Sequence, residues 1–235
     1  MTFKGWQKTS LVEYPNRIST VLFCGGCNLR CPFCYNTDLV LRPSSIPDLH
    51  SKDVLAELEA ERTLREAVVV TGGEPTLQEE LPTFFRCVKE LGYLAGLETN
   101  GTRPGKLEAL LREGVLDFVA MDVKAPLDAP RYAAACGVKD EELVRGVRQS
   151  IRIILESDVE YELRTTVVPE VHKPEDILTL GKQIRGARRY VIQQFVPEKT
   201  LDSRLQGSQA FSRESLEELR QSIAPWVDAC EVRNA

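Results

Sequence analysis

Six short apolar segments recur along the chain, and stretches of helical periodicity fill the intervals between them. The segments are 20–24 "TVLFC", 67–71 "AVVVT", 94–98 "LAGLE", 117–122 "DFVAMD", 161–168 "YELRTTVV" and 190–195 "YVIQQF". Strands alternating with helices make β/α units around a parallel sheet. Helices are expected over 52–66, 79–91, 105–113, 140–156, 174–184 and 212–224. In the 140–156 stretch, Leu143, Val144, Val147, Ile151, Ile154 and Leu155 fall at helical spacing. Ser51 is a candidate cap for the first helix. Ser212 should cap the last, with Phe211 packing on Leu216 across it. Gly92 and Gly114 should end two helices, and Pro174 suits the first position of another. No linker, low-complexity segment or readable repeat interrupts the series. One domain is therefore expected over 1–235, with a core from about 18 to 196 and a C-terminal helix and tail over 197–235. The count of units does not by itself separate an open doubly wound sheet from a barrel or partial barrel.

The chain has 235 residues, 43% hydrophobic and 28% charged, which is ordinary for a soluble globular protein. Its net charge of −5 argues against a protein built to grip nucleic acid. No apolar run approaches the roughly 18 residues of a membrane span. The start, "MTFKGWQKTSLVEYP", does not read as a signal peptide, so a cytoplasmic location is expected. Disulfides are disfavoured in that compartment, and clustered cysteines there point to metal or redox chemistry.

The unusual residues sit at equivalent places. A cysteine cluster, "FCGGCNLRCPFCYN", follows the first strand. "TGGEP" (71–75) follows the second, "ETNG" (98–101) the third and "MDVK" (121–124) the fourth. Parallel strands bring their C-terminal ends to one edge, where ligands bind in barrels and open sheets alike. On the fifth strand, Arg164 belongs to the face that points into the interior or mouth of the sheet. It needs an anionic partner there, either a ligand carboxylate or an internal salt bridge such as one with Glu162.

Four of the seven cysteines, Cys24, Cys27, Cys31 and Cys34, lie in the cluster. Four thiolates would suit one zinc, although structural zinc sites usually separate their two pairs by a longer loop. Alternatively Cys24 ends the strand as a small hydrophobe. The remaining Cys27-x3-Cys31-x2-Cys34 can hold three irons of a cubane and leave the fourth open. Clusters with a full protein ligand set take four cysteines, so an open iron suggests that it binds something else.

CxxxCxxC after a first strand, with Phe33 before the last cysteine, resembles the signature of the radical S-adenosylmethionine superfamily. "GGEP" one unit later resembles that superfamily's second motif. Within it, "KTSLVEYP" to "QQF" resembles the glycyl-radical-enzyme activating proteins, in particular the single-cluster form that activates anaerobic ribonucleoside-triphosphate reductase. Relatives with a ferredoxin-like insert carry eight more cysteines, and that insert is missing here.

The resemblance implies a parallel partial (β/α)6 barrel. It also implies a radical S-adenosylmethionine oxidoreductase that makes a 5′-deoxyadenosyl radical and from it a glycyl radical on a partner enzyme. Cys27, Cys31 and Cys34 would ligate one 4Fe–4S cluster, with S-adenosylmethionine on its open iron. Phe33 and Tyr35 would contact the adenine. Gly72 and Gly73 would let backbone carbonyls approach the methionine ammonium, with Glu74 as an anionic acceptor. Glu98 and Asn100 of "ETNG" would face the ribose or a nearby cation. Relatives have Asp where Glu98 stands, which puts the cation in doubt. Asp122, Lys124 and Arg164 would hold the methionine end, and Gln194 a ribose hydroxyl. The electron donor would be a flavodoxin or ferredoxin. A full eight-stranded barrel typically takes about 250 residues, so six units leave a lateral gap that suits a protein loop as substrate. The competing readings are a radical enzyme acting on a small molecule or peptide, and a zinc-stabilised interaction module. His50 and His172 are expected to be loop residues without a role, Cys87 and Cys230 packing residues, and Cys136 a loop residue.

Overall fold

The computed structural model describes residues 1–61 and 65–234. In chain order the elements are β1 (Thr2–Phe3), β2 (Gly5–Ser10), β3 (Ser19–Cys24), α1 (Thr37–Leu41), β4 (Leu49–His50), α2 (Ser51–Ala60), β5 (Ala67–Gly72), α3 (Leu81–Glu90), β6 (Leu94–Thr99) and α4 (Pro104–Arg112). They continue with β7 (Phe118–Asp122), α5 (Ala129–Cys136), α6 (Glu141–Leu155), β8 (Glu160–Val167), α7 (Pro174–Gln183), β9 (Arg189–Gln194), α8 (Arg213–Ile223) and β10 (Ala229–Arg233).

The six expected strands are β3, β5, β6, β7, β8 and β9, each boundary within one residue. They lie side by side in that order and pair in parallel. The sheet is wider than expected. α8 leads to a seventh parallel strand, β10, on β9, and β2 adds antiparallel to β3 at the opposite edge. These two end strands are not paired with each other, so the barrel is partial. Edge strands need only one buried flank, and β2 ("GWQKTS") carries Lys8 in place of a continuous apolar run. Such a strand leaves little trace in hydrophobic patterning.

The pleat divides the core in two. Val68 and Val70 point to the helix layer, where the major apolar cluster lies. Ala67 and Val69 point inward and join Val21, Phe118, Ala120 and Tyr14 in a smaller cluster that fills the barrel interior. Tyr14 arrives from the β2–β3 loop, its ring 5.0 Å from that of Phe118. Full burial of each Val or Phe side chain here stabilises the fold by about 1.5–3 kcal/mol. Outside, α3 buries Leu81, Phe84, Phe85 and Val88 at the spacing of one helical face.

Several local expectations change. Ser51 is the first residue of α2, and the capping position belongs to His50, whose side chain makes no cap hydrogen bond. α2 ends at Ala60, short of 66, and 62–64 of that expected helix lie outside the described residues. Ser212 does cap α8, accepting from the Ser215 amide at 3.2 Å. Cys136 ends a helix, α5, that the apolar pattern did not announce, and it is fully buried. Cys230 lies within β10. His172 is buried: its Nδ1 accepts from the Val168 amide at 3.1 Å and its Nε2 lies 2.7 Å from the Lys124 carbonyl, so Nε2 carries the proton. It therefore ties the loop after β8 to the end of β7.

Candidate active site

The C-terminal ends of the parallel strands surround a cavity of about 470 Å³. Cys27, Cys31, Phe33, Cys34 and Tyr35 line it from the loop after β3, and Gly72, Gly73 and Glu74 from the end of β5 and the turn beyond. Glu98 comes from β6 and Asn100 from the loop after it, Asp122 from the end of β7 and Lys124 from just beyond, Arg164 from β8 and Gln194 from β9. Every candidate residue named from the sequence thus reaches one space. Cys24 does not line it; it is fully buried at the strand end.

The cysteine loop is held by the neighbouring turn. The Gly73 amide donates to the Cys24 carbonyl at 2.9 Å and the Glu74 amide to the Gly26 carbonyl at 2.8 Å. Gly72 adopts a positive φ of 116°, and a Cβ at Gly73 would sit 1.8 Å from the Gly26 oxygen. The paired glycines are thus required by the approach of two backbones. The Gly72 carbonyl already accepts from Asn36 Nδ2 at 3.1 Å. Glu74 is likewise committed within the chain: it accepts from the Thr76 amide, Thr99 Oγ1 and the Asn100 amide, at 3.0, 2.7 and 2.7 Å. Burial pushes its pKa up, and these donors oppose the shift.

Burial also pushes up the thiols of Cys27, Cys31 and Cys34, Cys31 to about 12, while the Lys124 charge opposes the rise in all three. Three thiols lining one cavity and all held above the ordinary range make poor nucleophiles. Among the described residues no three His, Cys, Asp or Glu side chains converge as one metal ion requires. A cubane that spreads three irons over three thiolates does not need such convergence, whereas a single zinc does.

A chain of charges lines the same cavity. Arg164 donates to Glu98 at 2.6 Å and to Glu162, and stands 3.5 Å from Glu13. Glu162 is wholly buried and also accepts from Arg233, at 2.9 and 3.1 Å. Burial alone would raise the Glu162 carboxyl, but Arg233 and Arg164 hold it below the usual range. Glu98 accepts from Thr71 Oγ1 at 2.7 Å. Its oxygens are thus taken up by Thr71, Arg164 and Glu13, which leaves little for a cation. The internal salt bridge foreseen for Arg164 is therefore present, with Glu162 and also with Glu98. Its Nη2 is buried with no hydrogen-bond partner, and so is Oε1 of Gln194, whose Nε2 donates to the Phe211 carbonyl at 2.6 Å. One orphan donor and one orphan acceptor, on two residues that line the cavity, match a ligand that brings a carboxylate and a hydroxyl or amine. Lys124 pairs with Asp122 at 2.7 Å; burial would lower its pKa, but Asp122 holds it raised.

Glu13 is the principal residue that the motifs did not single out. Burial, followed by the charge and hydrogen bond of Glu98, raises its pKa to about 8. The available signal was an acid set within the otherwise apolar "LVEYP".

A parallel partial barrel with three cysteines of one loop at its C-terminal mouth defines a class of radical enzymes. The model of the Radical SAM superfamily matches residues 21–192, and the chain belongs to that superfamily. Its members are enzymes whose common equipment is a 4Fe–4S cluster and S-adenosylmethionine. The chain is 31% identical over 228 residues to "Putative glycyl-radical enzyme activating enzyme MJ1227" of Methanocaldococcus jannaschii, covering 95% of this chain and 92% of that one. It is 27% identical over 201 residues to the pyruvate formate-lyase-activating enzyme of Clostridium pasteurianum, covering 83% and 81%. Among solved structures, Streptococcus suis SuiB bound to its precursor peptide SuiA shares the fold. Its TM-score is 0.68 at 14% identity, over 90% of this chain and 47% of that one. Among the described residues no helix is long and apolar enough to cross a membrane.

Proposed function

We propose that this chain is a glycyl-radical-enzyme activating enzyme. The observation that carries the reading is the cavity wall itself. Cys27, Cys31 and Cys34 line a space that Arg164 and Gln194 also line, and Arg164 Nη2 and Gln194 Oε1 are buried without a hydrogen-bond partner. In this reading the three cysteines hold one 4Fe–4S cluster, and Arg164 receives the carboxylate of S-adenosylmethionine. When bound, the pair supplies a 5′-deoxyadenosyl radical able to take a hydrogen atom from a glycine. Lys124 and Asp122 position the methionine end, Gln194 takes a hydroxyl, and Phe33 and Tyr35 flank the adenine and limit water.

The rim favours a protein over a small molecule as substrate. Among the described residues the exposed large hydrophobics are Leu11, Val12, Tyr35, Leu41 and Val196. Each lines the cavity or lies within two residues of one that does. An apolar surface around a site mouth suits contact with a polypeptide. The resemblance in "SLVEYPNRISTVLFCGGCNLRCPFCYN" favours anaerobic ribonucleoside-triphosphate reductase as the partner, with a flavodoxin or ferredoxin as electron donor. The seven unpaired thiols suit a reducing compartment such as the cytoplasm.

The test is anaerobic reconstitution with iron, sulfide and a reductant. The expected result is about four irons per chain, retained in Cys24→Ala and lost when Cys27, Cys31 or Cys34 becomes Ala. Mixing the reduced protein with S-adenosylmethionine and the reductase should give a glycyl doublet in electron paramagnetic resonance. Cofactor cleavage with a silent reductase would reject that partner, and one bound zinc per chain would reject the whole reading.

A further inference from the structure

Asn28 follows Cys27 directly, and its side chain closes a ring of hydrogen bonds with two residues of the β6–α4 loop. Asn100 Nδ2 donates to Asn28 Oδ1 at 3.0 Å, Asn28 Nδ2 to Thr102 Oγ1 at 2.8 Å, and Thr102 Oγ1 to Asn100 Oδ1 at 2.7 Å. Each of the three side chains donates once and accepts once within the cycle. Turning either amide over would place donor against donor or acceptor against acceptor, so the ring fixes both orientations. The Thr102 amide adds a donor to Asn100 Oδ1 at 3.0 Å. The Asn100 amide donates to Glu74 at 2.7 Å, which anchors the ring to the turn after β5.

The fixed orientation has a consequence at sulfur. Asn100 Nδ2 also lies 3.9 Å from Cys27 Sγ, while the Leu29 amide donates to the same sulfur at 3.4 Å. Cys34 also has a backbone donor, from Asn36, so the side-chain donor is what sets Cys27 apart from it. Donors to a cluster thiolate withdraw charge from it and favour the more negative, reduced cluster, which raises the reduction potential. They also hold the ligand side chain in place.

We propose that the Asn28–Asn100–Thr102 ring is a positioning device that seats Cys27 and, through Asn100 Nδ2, sets how easily the cluster accepts an electron. The proposal rests on the reading of Cys27 as a cluster ligand. Thr102 is the best handle, because it does not itself line the cavity and has near-isosteric replacements. Thr102→Val removes the hydroxyl that is both donor and acceptor in the ring, whereas Thr102→Ser keeps it. Asn28→Ala breaks the ring independently.

The experiment is a redox titration of the reconstituted full chain, followed by electron paramagnetic resonance, with iron content and circular dichroism measured in parallel. Thr102→Val and Asn28→Ala should show a more negative midpoint and an altered signal for the reduced cluster. Thr102→Ser should match the wild type. Folded Thr102→Val that sheds iron, beside Thr102→Ser that keeps it, supports the seating role. Equal midpoints and signals in all four proteins overturn the proposal while leaving the cluster assignment intact. A folded wild-type chain that takes up no cluster overturns both.

Discussion

The carboxyl of Glu13 rests against that of Glu98, and one guanidinium, Arg164, reaches both at 3.5 and 2.6 Å. Two acids and one base at the mouth of a buried site leave one acid to be neutral. That acid is Glu13, raised to about 8 by burial and by Glu98, with Arg164 and Arg233 pulling the other way.

A pH dependence follows. In the unfolded chain Glu13 ionises near its ordinary value, while in the folded chain it keeps its proton up to about pH 8. Between those values the folded state holds the extra proton, so stability falls as pH rises and levels off above about 8. Glu13→Gln keeps the shape and a donor without the titration. It should be more stable than the wild type at pH 8, by about 1.4 kcal/mol for each unit by which burial raises the Glu13 pKa, and little changed at pH 4.5. Thermal melts across this range check the prediction; an unchanged slope in the variant would contradict it.

Arg164 links Glu98, Glu13 and Glu162, and Glu162 has no exposure at all. Arg164→Ala should destabilise the fold by about 3–5 kcal/mol, because it leaves buried carboxylates uncompensated. Arg164→Lys keeps the charge but not the fork. It should fold nearly as well and bind S-adenosylmethionine at least tenfold more weakly. Denaturant unfolding and calorimetric titration separate the two effects.

Gly73→Ala tests the contact between the two loops. Its Cβ would meet the Gly26 oxygen at 1.8 Å, which the backbones can relieve only by separating. A loss of about 1–3 kcal/mol is expected from such overpacking, together with faster loss of iron, since the cysteine loop is what must move. Equilibrium unfolding and iron release to a chelator measure these. A variant with wild-type stability and iron retention would show that the close approach is not required.

The amino-acid sequence by itself determined the six β/α units, because buried strands and one-sided helices write their burial directly into local apolar patterns. It also determined which loops meet at the cavity, since parallel pairing of "TVLFC", "AVVVT", "LAGLE" and "DFVAMD" sends the residues after each to one edge. The tertiary structure alone decided the rest. β2 and β10 bury only one flank and leave no comparable trace. Gly73 reads locally as a turn residue, and only the fold shows the Gly26 oxygen where its Cβ would be. Glu13, Asn28 and His172 acquire their settings from residues 85, 74 and 48 positions away. Such contacts depend on where the barrel brings distant loops together, and no window of neighbouring residues records that.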